Sequence, residues 1–332
     1  MSYDGRLMRV AREKYDDDIR ARAENLRRRR ETLYSKLPRV GEIDAELRCT
    51  AAKIIASALK RGTDPKPAIN VLRDKNLVLQ REKADLLASA GYGTDYLDDE
   101  PACAKCGDTG FVGGEPCECL RRYYAREQIK ELSKLLNLGC QSFDSFDIEL
   151  YSDKLWEQQG TSPRENMEMV YEICCDYAHC FGPRSGNLFL SGSPGLGKTF
   201  LSACIAREVS ESGFSVVYDS TPHIFAQFEA QKFGRETPEG GESEDIKRCL
   251  NCDLLIMDDL GAEMTTPFVQ SALYQIINSR LVSEKKTIIS SNLLGEELAR
   301  RYTPQIVSRI EGEYRKLRFF GDDIRKIKNQ DF

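Results

Sequence analysis

The chain has 332 residues, 41% of them hydrophobic and 30% charged, with a formal net charge of −5 and a mean hydropathy of −0.48. That composition fits a globular protein in water, long enough for one full α/β core and a smaller appendage. It excludes a bilayer span, since no apolar run approaches ~20 residues. The opening MSYDGRLMRVAREKYDDDIR also lacks the apolar centre of a signal peptide, so a cytoplasmic protein without a membrane partner is expected.

In chain order, Met8, Tyr15, Ile19, Leu26, Leu33 and Leu37 recur at intervals of seven and four, which predicts a long amphipathic helix ending before Pro38. Two further helical stripes follow, at Ile43, Leu47, Ile54 and Leu59 and at Ile69, Leu72, Leu79 and Leu86. Gly62 and the Asp64-Pro65-Lys66-Pro67 breaker separate them. Residues 1–90 thus read as a helical N-terminal region. Its apolar stripe either packs within its own bundle or docks another protein. Residues 1–40 hold twelve Lys or Arg against seven Asp or Glu, and residues 300–328 hold nine against four. Both tracts are solvated helix faces or surfaces that meet phosphates.

Between 91 and 122 the composition turns to Gly, Asp, Pro and Cys. Cys103, Cys106, Cys117 and Cys119 fall within seventeen residues, and CxxC followed by CxC supplies four thiolates from two turns, a tetrahedral set suited to Zn²⁺. The segment is too short to build a core, so a structural metal would supply the missing folding energy. Residues 91–139 therefore read as a zinc-knuckle segment and helical linker, with reduced unligated cysteines or redox chemistry as the alternatives. Twelve cysteines otherwise fit a reducing compartment. Cys174, Cys175, His179 and Cys180, and the pair Cys249 and Cys252, lack a second ligand pair and read as packing.

From residue 140 an aromatic connector (Phe143, Phe146, Tyr151, Trp156) leads into strands expected near 188–191, 215–219, 253–257 and 287–291, with helices between. This alternation predicts a parallel sheet covered on both faces. Residues 229–245, rich in charge, Pro and Gly, are expected to be a mobile loop. The run Gly192, Ser193, Pro194, Gly195, Leu196, Gly197, Lys198, Thr199 lies between a strand and a helix, the context of a phosphate-binding loop. Its glycines let backbone N–H groups converge on phosphate oxygens at a helix N-terminus. Lys198 would reach the β- and γ-phosphates and Thr199 would ligate Mg²⁺, so a nucleoside triphosphate is the expected ligand.

Leu254 to Met257 is a buried strand ending in Asp258 and Asp259. Asp258 is the expected Mg²⁺ holder, because parallel strands present their C-terminal ends along one edge. Asp259 is the candidate to polarise the lytic water and Glu263 its reserve, with the two left open; a turn or helix cap is the structural alternative. Asn292, at the end of Thr287-Ile288-Ile289-Ser290-Ser291, is placed to reach the γ-phosphate or the water. Tyr302 to Arg318 is expected to carry Arg309 on an amphipathic helix, either as a finger to a neighbour's γ-phosphate or in a surface salt bridge, with Arg280 a weaker second choice. With only His179 and His223 and no GxSxG, a histidine triad has no support.

These elements in this order resemble an AAA+ ATPase, and three stretches narrow the resemblance to the DnaC/DnaI-type replicative helicase loaders and the related IstB transposition helpers. They are Asp258-Asp259-Leu260-Gly261-Ala262-Glu263, Ser290-Ser291-Asn292-Leu293 and Phe320-Gly321-Asp322-Asp323-Ile324-Arg325. Cys103 to Phe111 with Cys117 to Leu120 is similar to the zinc segment of the DnaI-like branch. The likeness spans most of 75–326. It implies an AAA+ fold over 140–332, Mg²⁺-dependent ATP hydrolysis, self-association driven by ATP, a hexameric replicative helicase gripped through the N-terminal region, and single-stranded DNA as a partner in replication. It also gives Lys198, Thr199, Asp258, Asn292 and Arg309 their ATP roles. Asp259 stands where the wider superfamily commonly has Glu. An IstB-like helper of a transposase and a nonhydrolysing adaptor switched by ATP are the competing readings.

Overall fold

A computed structural model describes residues 3–58, 66–136, 141–233 and 244–330. Two compact units divide the chain: Lys14–Glu115, and Met1–Glu13 together with Pro116–Phe332.

Three long helices dominate the first part of the chain: α1 (Gly5–Lys36), α2 (Pro38–Ala58) and α3 (Lys66–Ser89). α1 ends where expected, and Pro38 opens α2, where its missing N–H costs no hydrogen bond. Within the smaller unit Leu33, Val40, Leu87 and Leu97 form a core, supported by Lys83 Nζ and Tyr34 O–H donating to Asp44 at 2.7 and 2.6 Å. The predicted stripe is real: Tyr15, Leu26 and Leu33 are buried. Leu59, Gly62 and the Asp64-Pro65 break lie outside the described residues, while Lys66 and Pro67 start α3. A two-stranded ribbon, β1 (Phe111–Val112) and β2 (Glu115–Pro116), then precedes α4 (Glu118–Leu136).

The larger unit is built on a five-stranded parallel sheet in the order β4-β5-β6-β3-β7. Its strands are β3 (Asn187–Gly192), β4 (Val216–Ser220), β5 (Leu254–Leu260), β6 (Lys286–Ser291) and β7 (Tyr314–Phe319). The helices are α5 (Pro163–His179), α6 (Lys198–Glu211), α7 (Thr221–Phe233), α8 (Glu244–Asn251), α9 (Pro267–Val282), α10 (Gly295–Arg301), α11 (Pro304–Glu313) and α12 (Ile324–Gln330). Alternation along the strands sorts the core into two layers. Leu188, Leu190, Leu254, Ile256 and Ile288 join Met167, Val170, Leu201 and Ile205 from α5 and α6. Phe189, Leu255, Met257 and Ile289 join Ile224, Leu273, Ile276 and Ile310 from α7, α9 and α11. The result is a parallel α/β sheet covered by helices on both faces.

Two expectations change. The helix expected to run to Arg318 stops at Glu313, and 314–319 form a fifth strand, β7, at the sheet edge. Tyr314, Leu317 and Phe319 are buried while Arg315, Lys316 and Arg318 are exposed, a pattern that a helix and a strand share over so short a span. Of the loop expected over 229–245, residues 229–233 belong to α7 and 244–245 to α8; 234–243 lie outside the described residues. The cysteine pairs judged to be packing are largely buried: Cys174, Cys249 and Cys252 belong to the core, Cys175 is half-buried and Cys180 exposed. Among the described residues no helix is long and apolar enough to cross a membrane.

Candidate nucleotide site

All the strands run the same way, so the ends of β3, β5 and β6 open on one edge, around a cleft of about 400 Å³. Residues 194–200, Asp258, Asp259, Ser290 and Asn292 line it together. The loop from Gly192 to Thr199 crosses from β3 to α6 in a backbone shape only glycine tolerates: φ is +150° at Gly192, +79° at Gly195 and +90° at Gly197. Space is the second reason. A Cβ on Gly192 would overlap the Phe319 carbonyl of β7, and one on Gly195 would overlap the Asp323 carboxylate. Tyr151 O–H fastens the loop by donating to the Leu196 carbonyl at 3.0 Å.

Lys198 opens α6 and is 7% exposed. Its ammonium donates to the carbonyls of Gly192 (2.6 Å) and Ser193 (2.8 Å) and to Asn292 Oδ1 (2.8 Å). Burial pulls its pKa down from the usual lysine value to about 8, against the opposing charges of Asp259 and Asp258. Asn292 bridges onward, its Nδ2 donating to Asp259 Oδ1 at 2.6 Å. Lysine, amide and acid therefore form one chain of hydrogen bonds across the position a phosphate would take.

Asp258 receives Thr199 O–H at 3.0 Å and Tyr218 O–H at 2.8 Å on Oδ2, and Ser290 O–H on Oδ1. Burial first, then the charge of Asp258, pushes the Tyr218 phenol well above its ordinary range, so it stays a donor. Asp259 takes a left-handed backbone, φ +62°, where β5 shifts register against β6 between Met257 and Leu260. That bulge turns two successive carboxylates toward the same cleft, since in a regular strand they would face opposite sides.

Glu263 is placed elsewhere. Its carboxylate is buried, accepts from Gly261 N–H at 2.9 Å and from Tyr302 O–H, and does not line the cleft. Arg280 is likewise removed from any finger role: it is fully buried, donating to Thr287 Oγ1 (2.9 Å), the Cys249 carbonyl (2.7 Å) and the Lys286 carbonyl. Arg309 is on α11, half-buried and away from this cleft, with its guanidinium 5.3 Å from the Tyr274 ring centre.

Several cleft residues escaped the sequence reading. Arg325, exposed at the start of α12, lines the cleft because Ile324 N–H binds the Gly195 carbonyl at 3.0 Å and ties the C-terminal segment to the loop. Phe146 and Tyr151 form an aromatic wall, with Phe146 stacked on Tyr151 (5.8 Å) and Tyr171 (5.1 Å). Tyr218 sits behind Asp258. The Phe-Gly-Asp-Asp-Ile-Arg stretch was a signal for Arg325; no local signal marks the aromatic residues or Tyr218.

The four cysteine sulfurs of Cys103, Cys106, Cys117 and Cys119 lie within 4.8 Å of one another, the one such group among the described residues. A tetrahedron of four Zn–S bonds near 2.3 Å needs separations of about 4 Å, so this donor set fits Zn²⁺. Asp108 supports the first turn by accepting from Cys103 N–H (2.9 Å) and Ala102 N–H (3.1 Å).

Residues 174–307 match the family described as IstB-like ATP binding protein. The replicative helicase loader DnaC of Buchnera aphidicola subsp. Baizongia pistaciae is 25% identical over 174 residues, covering 52% of this chain and 62% of that protein. The replicative helicase loader DnaI of Bacillus subtilis is 30% identical over 121 residues, covering 35% of this chain and 36% of that protein. The chain thus spans between about a third and three-fifths of the length of these curated relatives. A crystal structure of the DnaC helicase loader aligns with a TM-score of 0.42 at 23% identity, over 54% of this chain and 98% of that one. With the loop, the acid pair and Asn292 around one cleft, residues 174–307 are similar to the IstB-like ATP binding proteins, and the chain is similar to proteins named DnaC and DnaI.

Proposed function

We propose that the chain is an ATP-dependent loader of a replicative helicase onto single-stranded DNA, with 140–332 as its ATPase, 91–139 as a zinc knuckle and linker, and 1–90 as the partner-binding region. The observation that carries the nucleotide part is the convergence of Lys198, Asp258, Asp259 and Asn292 on one cleft floored by the glycine loop. The base of ATP fits the wall made by Phe146 and Tyr151, and its phosphates fit the backbone amides of residues 193–199, with Arg325 above them. Lys198 would exchange the Gly192 and Ser193 carbonyls for the β- and γ-phosphates. Thr199 and Asp258 would hold Mg²⁺, which neutralises charge on the phosphate oxygens when bound. Asp259 would accept the proton of the attacking water once Asn292 lets go of it. Arg309 would act on a neighbouring subunit's nucleotide, which accounts for ATP-dependent self-association.

Two observations support the rest of the reading. Arg315, Lys316, Arg318 and Lys326 are exposed on β7 and α12, a basic track for a strand's phosphates. Four clustered thiols fit a structural Zn²⁺ in the knuckle. The test is a pull-down of a hexameric helicase from the native cell, with and without ATP, combined with phosphate release on single-stranded DNA. Helicase capture with turnover supports the loader. Transposase in its place supports the IstB-like helper, which the matched family keeps open. Tight ATP binding without phosphate release supports an adaptor, a reading favoured by the 2.6 Å bond that engages Asp259 with Asn292.

A further inference from the structure

Asp258 is held from behind as well as from the cleft. Thr199 approaches it from the loop, where a metal ion would bind. Two other hydroxyls come from the neighbouring strands. Tyr218, 3% exposed and absent from the cleft lining, donates at 2.8 Å to Oδ2 from β4, whose parallel register with β5 sets Tyr218 beside Ile256, two residues before Asp258. Ser290, 1% exposed on β6, donates to Oδ1 and accepts from Asp259 N–H at 2.9 Å, so one hydroxyl fixes a side chain and the bulged backbone after it. Thr221 O–H, at the start of α7, donates to the Asp258 carbonyl at 2.8 Å. A carboxylate that served only as a turn or helix cap would be bonded to nearby backbone N–H groups. This one is clamped by side chains from both flanking strands.

We infer that Tyr218 and Ser290 are positioning residues that hold the Asp258 carboxylate in the orientation needed for magnesium, so that the metal requirement of nucleotide binding is set partly by the two strands flanking β5. The inference rests on the ATP reading above. Preorganisation is the physical reason: an acid fixed before the ion arrives loses no rotamer freedom on binding, and its lone pairs are already aimed. Tyr218 supplies this without occupying the cleft, because its ring belongs to the core layer of Leu254 and Ile256 and only its hydroxyl reaches the acid.

The test measures binding of a fluorescent ATP analogue, with magnesium titrated from none to saturation, for the full chain and for Y218F, S290A, D258N and the pair Y218F/D258N. In Y218F the magnesium midpoint should rise roughly tenfold, the worth of one hydrogen bond to a charged group, with metal-free affinity within about twofold of the parent. S290A should shift the midpoint in the same direction, which keeps the test valid if Y218F does not fold. In the D258N background Y218F should add nothing, the signature of two groups acting as one unit. An unchanged midpoint in both single variants, or an equal Y218F effect with and without Asp258, overturns the inference. A parent chain that binds no nucleotide overturns the ATP reading itself, and the two failures are therefore distinguishable.

Discussion

Lys198 shows how burial prepares a residue for its ligand. The ammonium is satisfied by two loop carbonyls and Asn292, yet desolvation lowers its pKa to about 8, against a usual value near 10.5. Between those two values the unfolded chain binds the extra proton and the folded chain does not, so this group makes stability rise with pH from about 8 towards 10.5. Polyphosphate would reverse the shift by placing negative charge beside the ammonium. Nucleotide binding at pH 8.5 should therefore take up a fraction of a proton. Calorimetry in two buffers of different ionisation enthalpy reads this directly, and K198M should abolish it; equal heats in both buffers would refute the assignment. The sequence pattern alone identified Lys198. Its resting partner Asn292 comes from a strand 94 positions away in sequence, and that pairing is visible only in the fold.

At the scale of elements, the sheet edges depend on single polar side chains. Gln128 of α4 is 2% exposed: its amide Nε2 donates to Ser210 Oγ (2.6 Å) and the Phe214 carbonyl (2.8 Å), and its Oε1 accepts from Val216 N–H at 3.0 Å. It thereby caps the start of edge strand β4, whose backbone groups would otherwise be orphaned. Q128L should cost about 2–3 kcal/mol in urea unfolding of the full chain. Arg280 plays the same part between α8, α9 and β6, and R280M should cost about 3 kcal/mol by leaving its buried carbonyl partners without donors. An R280M protein of parental stability would disprove the staple. Most elements were legible from periodicity: β3, β4, β5 and β6 lie within a residue or two of the expected spans, except that β5 runs on through the acid pair to Leu260. β7 was not, since its buried Tyr314, Leu317 and Phe319 suit a helix continuing from α11 as well as an edge strand.

For the whole molecule, the finger role proposed for Arg309 is tested between chains. Arg309 packs on Tyr274, apart from its own Lys198, so a mixing experiment isolates its role. Chains carrying R309A keep an intact phosphate loop, and chains carrying K198A keep the arginine. Each alone should hydrolyse ATP at a small fraction of the parental rate, and a mixture should recover a measurable part of it. No recovery in mixed assemblies would remove Arg309 from the finger role. For the knuckle, C103S/C106S should release about one Zn²⁺ per chain by metal analysis, and unchanged metal content would remove the assignment.

The glycine loop, the acid pair, Asn292 and the CxxC…CxC spacing were determined by sequence alone, because each is a local pattern whose chemistry depends on residue type and interval. Only the tertiary structure decided that Glu263 and Arg280 are structural, that Arg325, Phe146 and Tyr151 share the nucleotide cleft, and that Tyr218 stands behind Asp258. Those outcomes depend on strand order and on a bulge after Met257, which bring together side chains far apart in sequence; no local pattern encodes such distances.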